Sequence, residues 1–173
     1  MSALTLDQAK KHLNIAKDVS DDELQTVIDA AEAVVSKYCG PLEPVTTTSR
    51  VACRNGTAVL PVAPVLEVTS VSTVDSLTPV DLDELHVDLA AGVIDWTTSW
   101  APRSYDVVYT AGRTSLPADL LMAVKEMTRH LWRTQRGGAQ RPGAAADGSA
   151  PGYLVPNMVA ALIESHQIRV GIT

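Results

Sequence analysis

The stretch SDDELQTVIDAAEAVVSKYCGP, residues 20–41, decides how the rest of the chain is read. Ser20-Asp21-Asp22-Glu23 has the form of a capping box, in which Glu23 can reach back to the backbone at Ser20. The three acids also lie where the positive end of a helix dipole favours negative charge. Leu24, Val27, Ile28, Ala31, Val35 and Tyr38 then recur at three- and four-residue spacing, which makes one apolar stripe. Gly40-Pro41 ends the run, since glycine accepts the conformation that closes a helix and proline cannot continue one. The reading is an amphipathic helix whose apolar face needs a partner.

Toward the N-terminus, Thr5-Leu6-Asp7-Gln8 is a second capping box and predicts a short helix to about His12 or Leu13. Toward the C-terminus the period changes. Residues 50–54, then Asn55-Gly56, then 57–60 read as a hairpin, because Asn-Gly suits a type I′ turn. Residues 65–71 are β-branched and partly alternating, and Pro61 and Pro64 confine the entry of that strand to an edge or a bend. Residues 85–88 and 93–96, around Ala91-Gly92, form a second hairpin, and 105–109 the last strand. The expected middle is a small, mostly antiparallel sheet. Pro117 sits where a first-turn proline belongs, and Leu120, Leu121, Val124, Met127, Leu131 and Trp132 mark a long helix to about Arg136. Residues 137–152 are a Gly/Ala/Pro linker without core-forming side chains. A short helix starts near Val155-Pro156-Asn157, and 168–172 alternate like a strand. Helices, sheet, long helix, then linker and tail give an α+β fold. The expected organisation is a core domain over 1–136, a linker over 137–152 and a docking helix with tail over 153–173.

Composition narrows the function. With 46% hydrophobic residues, 4% aromatics and no Phe, the core is built from Val, Leu, Ile and Ala. A net charge of −6 argues against binding nucleic acid or a membrane surface with the whole molecule. No stretch reaches the ~20 apolar residues of a membrane span, and no apolar signal core follows Met1. Cys39 and Cys53, the only cysteines, make no metal or redox motif and read as thiols in a reducing cytoplasm.

Two groups of residues stand out as contact sites. Lys125, Arg129, Arg133 and Arg136 fall on one face of the long helix, opposite Val124, Met127 and Leu131. They read as a solvated face, or as contacts to DNA phosphates or to acids of a neighbouring subunit. Phosphate contacts carry no sequence readout. The second group lies beyond the linker: Tyr153, Leu154, Val159, Leu162, Ile163, Ile168, Val170 and Ile172. An apolar segment on a tether either docks on a partner, for instance by adding a strand to a sheet edge, or folds back on its own domain. No catalytic or metal constellation competes with these. Asp75, Asp81, Asp83, Glu84 and Asp88 lack a calcium-loop pattern, and His12, His86, His130 and His166 form no close pair. Trp96 and Trp100 read as core or interface packing.

In order and spacing the chain resembles the head-to-tail connector (adaptor) proteins of long-tailed bacteriophages. The matching pieces are Leu4-Thr5-Leu6-Asp7-Gln8-Ala9-Lys10-Lys11-His12-Leu13, the Asp21-Asp22-Glu23-Leu24 helix ending in Tyr38-Cys39-Gly40, Val108-Tyr109-Thr110-Ala111-Gly112 with Leu116-Pro117-Ala118-Asp119-Leu120 and the helix to Trp132-Arg133, and Tyr153-Leu154-Val155-Pro156 before an apolar helix. The resemblance implies a structural ring subunit of the virion neck, a dodecamer assembled in the host cytoplasm, with no enzymatic activity and no cofactor. It further implies a portal protein on one side, the next neck or tail protein on the other, and double-stranded DNA passing without sequence specificity. The alternative within the same class is a head-completion or stopper protein. A small hydrolase or nuclease, or a basic-helix DNA regulator, lacks the residues it would need.

Overall fold

The computed structural model describes residues 2–15, 21–97, 103–135 and 155–168. Among these residues, four α-helices and seven strands give an α+β fold: α1 (Leu6–Leu13), α2 (Asp21–Cys39), β1 (Val45–Ala52), β2 (Thr57–Val59), β3 (Val65–Thr73), β4 (Pro79–Val80), β5 (Leu85–Asp88), β6 (Val93–Trp96), β7 (Ser104–Ala111), α3 (Ala118–Gln135) and α4 (Asn157–Ile163). They divide into two compact units, one of Met1–Tyr38 with Leu116–Gln167, the other of Cys39–Ser115 with Ile168–Thr173. The linker expected over 137–152 lies outside the described residues.

The first unit is helical. Thr5 caps α1 as expected: its side chain accepts from the Gln8 amide, and the Gln8 side chain accepts from the Thr5 amide, both at 3.3 Å. Glu32 of α2 holds the chain before α1, accepting from the Leu4 amide at 2.9 Å and the Ser2 hydroxyl at 2.7 Å. Lys10 reaches Asp21 at 2.8 Å and so ties α1 to the first turn of α2. The expected stripe on α2 is buried at Leu24, Val27, Ile28, Ala31 and Val35. Tyr38, however, is 39% exposed, and Cys39, four residues after Val35, is the buried one. The stripe drifts by helical geometry, and a small thiol fits where a phenol does not.

On α3 the buried set is Leu120, Ala123, Val124, Met127, Thr128 and Trp132. Leu121 and Leu131, expected in the core, are only half-buried. Thr128 can be buried because its hydroxyl donates to the Val124 carbonyl at 2.8 Å. Pro117 stands one position earlier than expected: its carbonyl accepts the first helical bond, from the Leu121 amide at 3.0 Å, which makes it the cap. The helix α4 packs along α3, with Val159 and Ile163 at 0% and 2% exposure. Each such side chain contributes about 1.5–3 kcal/mol of burial.

The second unit holds two antiparallel sheets where one was expected, ordered β1-β7-β3-β4 and β2-β6-β5. The Asn55-Gly56 turn forms as expected, with positive φ at both residues and paired Arg54 and Thr57 backbone bonds. Its flanks do not continue as a hairpin. β1 pairs with β7 over its whole length, whereas β2 pairs with β6. The turn therefore carries the chain from one sheet to the other. The β5–β6 hairpin is as expected. Pro61 and Pro64 precede β3, whose own neighbour β4 covers only Val71 and Ser72, and β3 is irregular after Val65 and Val68.

One core joins both sheets. β7 alternates strictly and turns Tyr105, Val107, Tyr109 and Ala111 inward, to meet Val51, Val65 and Val71 of its own sheet and Ala58, Ile94 and Trp96 of the other. Trp96 packs on Tyr105 with ring centroids 4.7 Å apart. The Tyr109 hydroxyl, within 3.1 Å of the Ser49 hydroxyl, keeps its hydrogen bond despite full burial. Arg50 and Asp106 face each other across β1 and β7 and form a two-pronged pair at 2.9 and 3.2 Å.

Candidate functional site

The helix α3 carries the basic face read from the sequence. Lys125, Arg129 and Arg133 follow one another at four-residue steps, so each is rotated by only about 40° from the last. Lys125 and Arg129 are half-exposed and Arg133 is exposed, while Val124 and Met127 on the other side are buried. Arg136 lies outside the described residues. Arg129 is anchored, with its guanidinium 3.5 Å from Glu126 one turn earlier. The other Glu126 oxygen lies 3.2 Å from His12 Nε2 of α1. That nitrogen is buried and makes no hydrogen bond among the described residues.

Between α3 and the start of α4 lies an open groove of about 270 Å³, lined by Glu126, Arg129, His130, Arg133, Pro156 and Met158. Its charge is basic on the α3 side, with one carboxylate already beside Arg129. Its floor is apolar on the α4 side, where Met158 is 55% exposed. The groove can hold an acidic group together with an apolar side chain. The sequence showed the arginines but not the groove, because Met158 and Pro156 are brought to them only by the return of α4.

Of the second group of residues, Val159 and Ile163 are buried in the helical unit, where α4 packs along α3. Leu162 is half-buried. Ile168 is half-buried too, and its Cδ1 lies 2.6 Å from where a Cβ on Gly40 would stand. Tyr153, Leu154, Val170 and Ile172 lie outside the described residues, as does Trp100. After α4 a 3-10 turn (Glu164–His166) brings His166 Nε2 within 2.7 Å of Asp119 Oδ2 in the first turn of α3. Hydrogen bonding to His166 is the main reason the Asp119 carboxyl is held below its ordinary range; burial opposes this and the Leu120 amide adds to it. No group of three or more His, Cys, Asp or Glu side chains among the described residues could hold a metal ion. Burial pushes the Cys53 thiol up, away from the reactive thiolate. No described helix is long and apolar enough to cross a membrane.

The fold is similar to that of a chain in the neck of an empty GTA particle computed with C6 symmetry, at 24% identity and a TM-score of 0.69, covering 99% of this chain and 93% of that one. It is also similar to chains in the virion of a native gene transfer agent particle (24% identity, TM-score 0.66, 99% and 93% covered) and in the neck of the native particle computed with C12 symmetry (25%, 0.66, 99% and 92%). No functionally curated protein matches the sequence. The family model described as head completion protein matches residues 2–168. The chain thus belongs to the head completion protein family, within the connector class that its sequence resembles, and is a structural subunit of the neck joining head to tail.

Proposed function

We propose that the chain is the repeating subunit of a closed ring, a dodecamer, that continues the DNA channel between the portal and the next neck or tail protein. The observation that carries this is the basic face of α3 on an otherwise acidic chain: Lys125, Arg129 and Arg133 share one side of a helix whose other side is core. Such a face touches either passing duplex phosphates or the acids of a neighbouring copy, and neither needs a base to be read. The structurally similar necks are described with C6 and C12 symmetry, which supports a ring of this kind. Attachment to the portal is assigned to Tyr153 and Leu154 and to the end of the chain from Ile168, with Val170 and Ile172. The subunit carries out no reaction and takes no cofactor; its work is structural.

The test is particle assembly with Lys125, Arg129 and Arg133 all changed to Gln. Folded variant protein that gives particles which leak DNA, or necks that do not close, is the expected result. Normal particles with normal DNA retention would leave the face a solvated surface and remove the support for this reading.

A further inference from the structure

The charge of this chain is unevenly placed. From Arg54 to Arg103 there is no lysine or arginine between the two, but seven acids: Glu67, Asp75, Asp81, Asp83, Glu84, Asp88 and Asp95. That stretch carries −7 of a whole-chain −6 and leaves +1 for everything else. Five of these acids, Asp75, Asp81, Asp83, Glu84 and Asp88, are exposed. Asp75, Asp83 and Glu84 have no ion-pair partner among the described residues. Apolar side chains stand out among them: Leu77 is 73% exposed and Leu82 40%. Leu82 opens a 3-10 turn (Leu82–Glu84) that the Asp81 side chain caps by accepting from the Asp83 amide at 3.1 Å. The result is a fixed crest, Asp81-Leu82-Asp83-Glu84, with one apolar side chain between carboxylates.

The groove of the helical unit has the opposite character. Arg129, His130 and Arg133 line it, and Met158 and Pro156 give it an apolar floor. We propose that in the ring the groove of one copy receives the Asp81–Glu84 crest of the next, Leu82 meeting Met158 and Asp83 and Glu84 meeting Arg129 and Arg133. The inference rests on the ring reading above and names the partner of that same basic face. Two unlike surfaces of one chain make a heterologous contact, the kind that generates a ring when its rotation closes. Charge complementarity also sets its register, because two crests or two grooves repel. A duplex is a poorer occupant: it would bring phosphates to the arginines but nothing to the Met158 floor.

The test uses two full-length variants, Arg129→Glu with Arg133→Glu, and Asp83→Arg with Glu84→Arg. Each alone places like charges across every contact, and neck assembly should fall at least about tenfold. Mixed in equal amounts they can alternate around an even-numbered ring, each reversed surface then facing an opposite charge, and assembly should return to near the native level. Loss without rescue, or no loss from either variant alone, overturns the pairing. Normal neck assembly with leaking DNA in the Arg129/Arg133 variant would assign the groove to duplex instead, and would sink this inference while leaving the ring reading intact. A second measurement does not depend on either variant folding well: Arg133→Cys with Glu84→Cys in one chain should give intermolecular disulfides in assembled necks under oxidation. Their absence also overturns the contact.

Discussion

His166 Nε2 lies 2.7 Å from Asp119 Oδ2, and this bond closes the helical unit by joining the end of the last described turn to the start of α3. Asp119 serves two further purposes there. Its other oxygen accepts from the Leu120 amide at 2.9 Å, and its charge sits at the N-terminus of α3. Hydrogen bonding to His166 is the first reason its carboxyl stays ionised to lower pH than usual.

The pH dependence has a definite sign. A carboxyl whose folded pKa is depressed contributes stability above its ordinary value of about 3.9, and that stability is lost as pH falls through the depressed value. Asp119→Asn should therefore be less stable than the native chain at about pH 6, with the difference shrinking as pH drops below about 4. Denaturant midpoints of both proteins across that range decide it. A gap that stays constant with pH would show that the Asp119 charge contributes nothing.

Gly40 is expected to tolerate no side chain. It follows α2 with φ at +74°, and a Cβ there would run into the Ala63 carbonyl oxygen and crowd Ile168 Cδ1 at 2.6 Å. Backbone cannot yield as a flexible side-chain tip can. Arg113 braces the same corner, donating to the Cys39 and Pro41 carbonyls at 3.0 and 3.2 Å. Gly40→Ala should cost at least about 1–3 kcal/mol from the left-handed conformation alone. A melting temperature equal to that of the native protein would contradict the close approach.

What the sequence disclosed and what it hid divide along physical lines. Capping boxes and turns are local chemistry, so the Thr5–Gln8 box and the Asn55-Gly56 turn were legible and stand as read. Strand pairing is not local. Nothing within 50–60 says that β1 will pair with β7 instead of β2, since that choice is made by the alternation at Tyr105, Val107, Tyr109 and Ala111. Nor does hydropathy find every buried residue that is small or hydroxylated: Ala123 and Thr128 take core positions on α3 that Leu121 and Leu131 seemed better suited to fill. The arginines of the candidate site were legible from period alone. The groove was not, because Val159 and Ile163 have the same apolar character whether they face a partner or their own α3.

The basic face should be nearly silent in stability at Arg133 and less so at Arg129. Arg133 is exposed, so Arg133→Gln should stay within about 0.5 kcal/mol of the native chain. Arg129 shares Glu126, a carboxylate with only 16% of its side chain exposed, so among the described residues its loss leaves that charge beside His12 alone. Arg129→Gln should unfold at a lower denaturant concentration than Arg133→Gln. Equal midpoints would mean that the Arg129–Glu126 contact carries no stability.

Removal of the chain from Pro151 onward separates two roles that sequence alone runs together. If 153–173 were only a docking tail, its deletion would cost attachment to the portal and leave stability untouched. The packing of α4 on α3 requires more. Val159 and Ile163 are lost from a core they fully enter, and the Asp119–His166 bond goes with them, so the truncated chain should melt earlier and expose the α3 surface they covered. Ile163→Ala reports the packing role alone, and large-to-small changes at such sites cost about 2–5 kcal/mol. Tyr153→Ser with Leu154→Ser tests the docking role proposed for that pair. The expected pattern is a destabilised but portal-binding Ile163→Ala and a stable Tyr153/Leu154 variant that fails to bind. A Tyr153/Leu154 variant that binds normally would move portal attachment off this segment. An Ile163→Ala that melts like the native chain would show that α4 does not hold its place on α3 in solution.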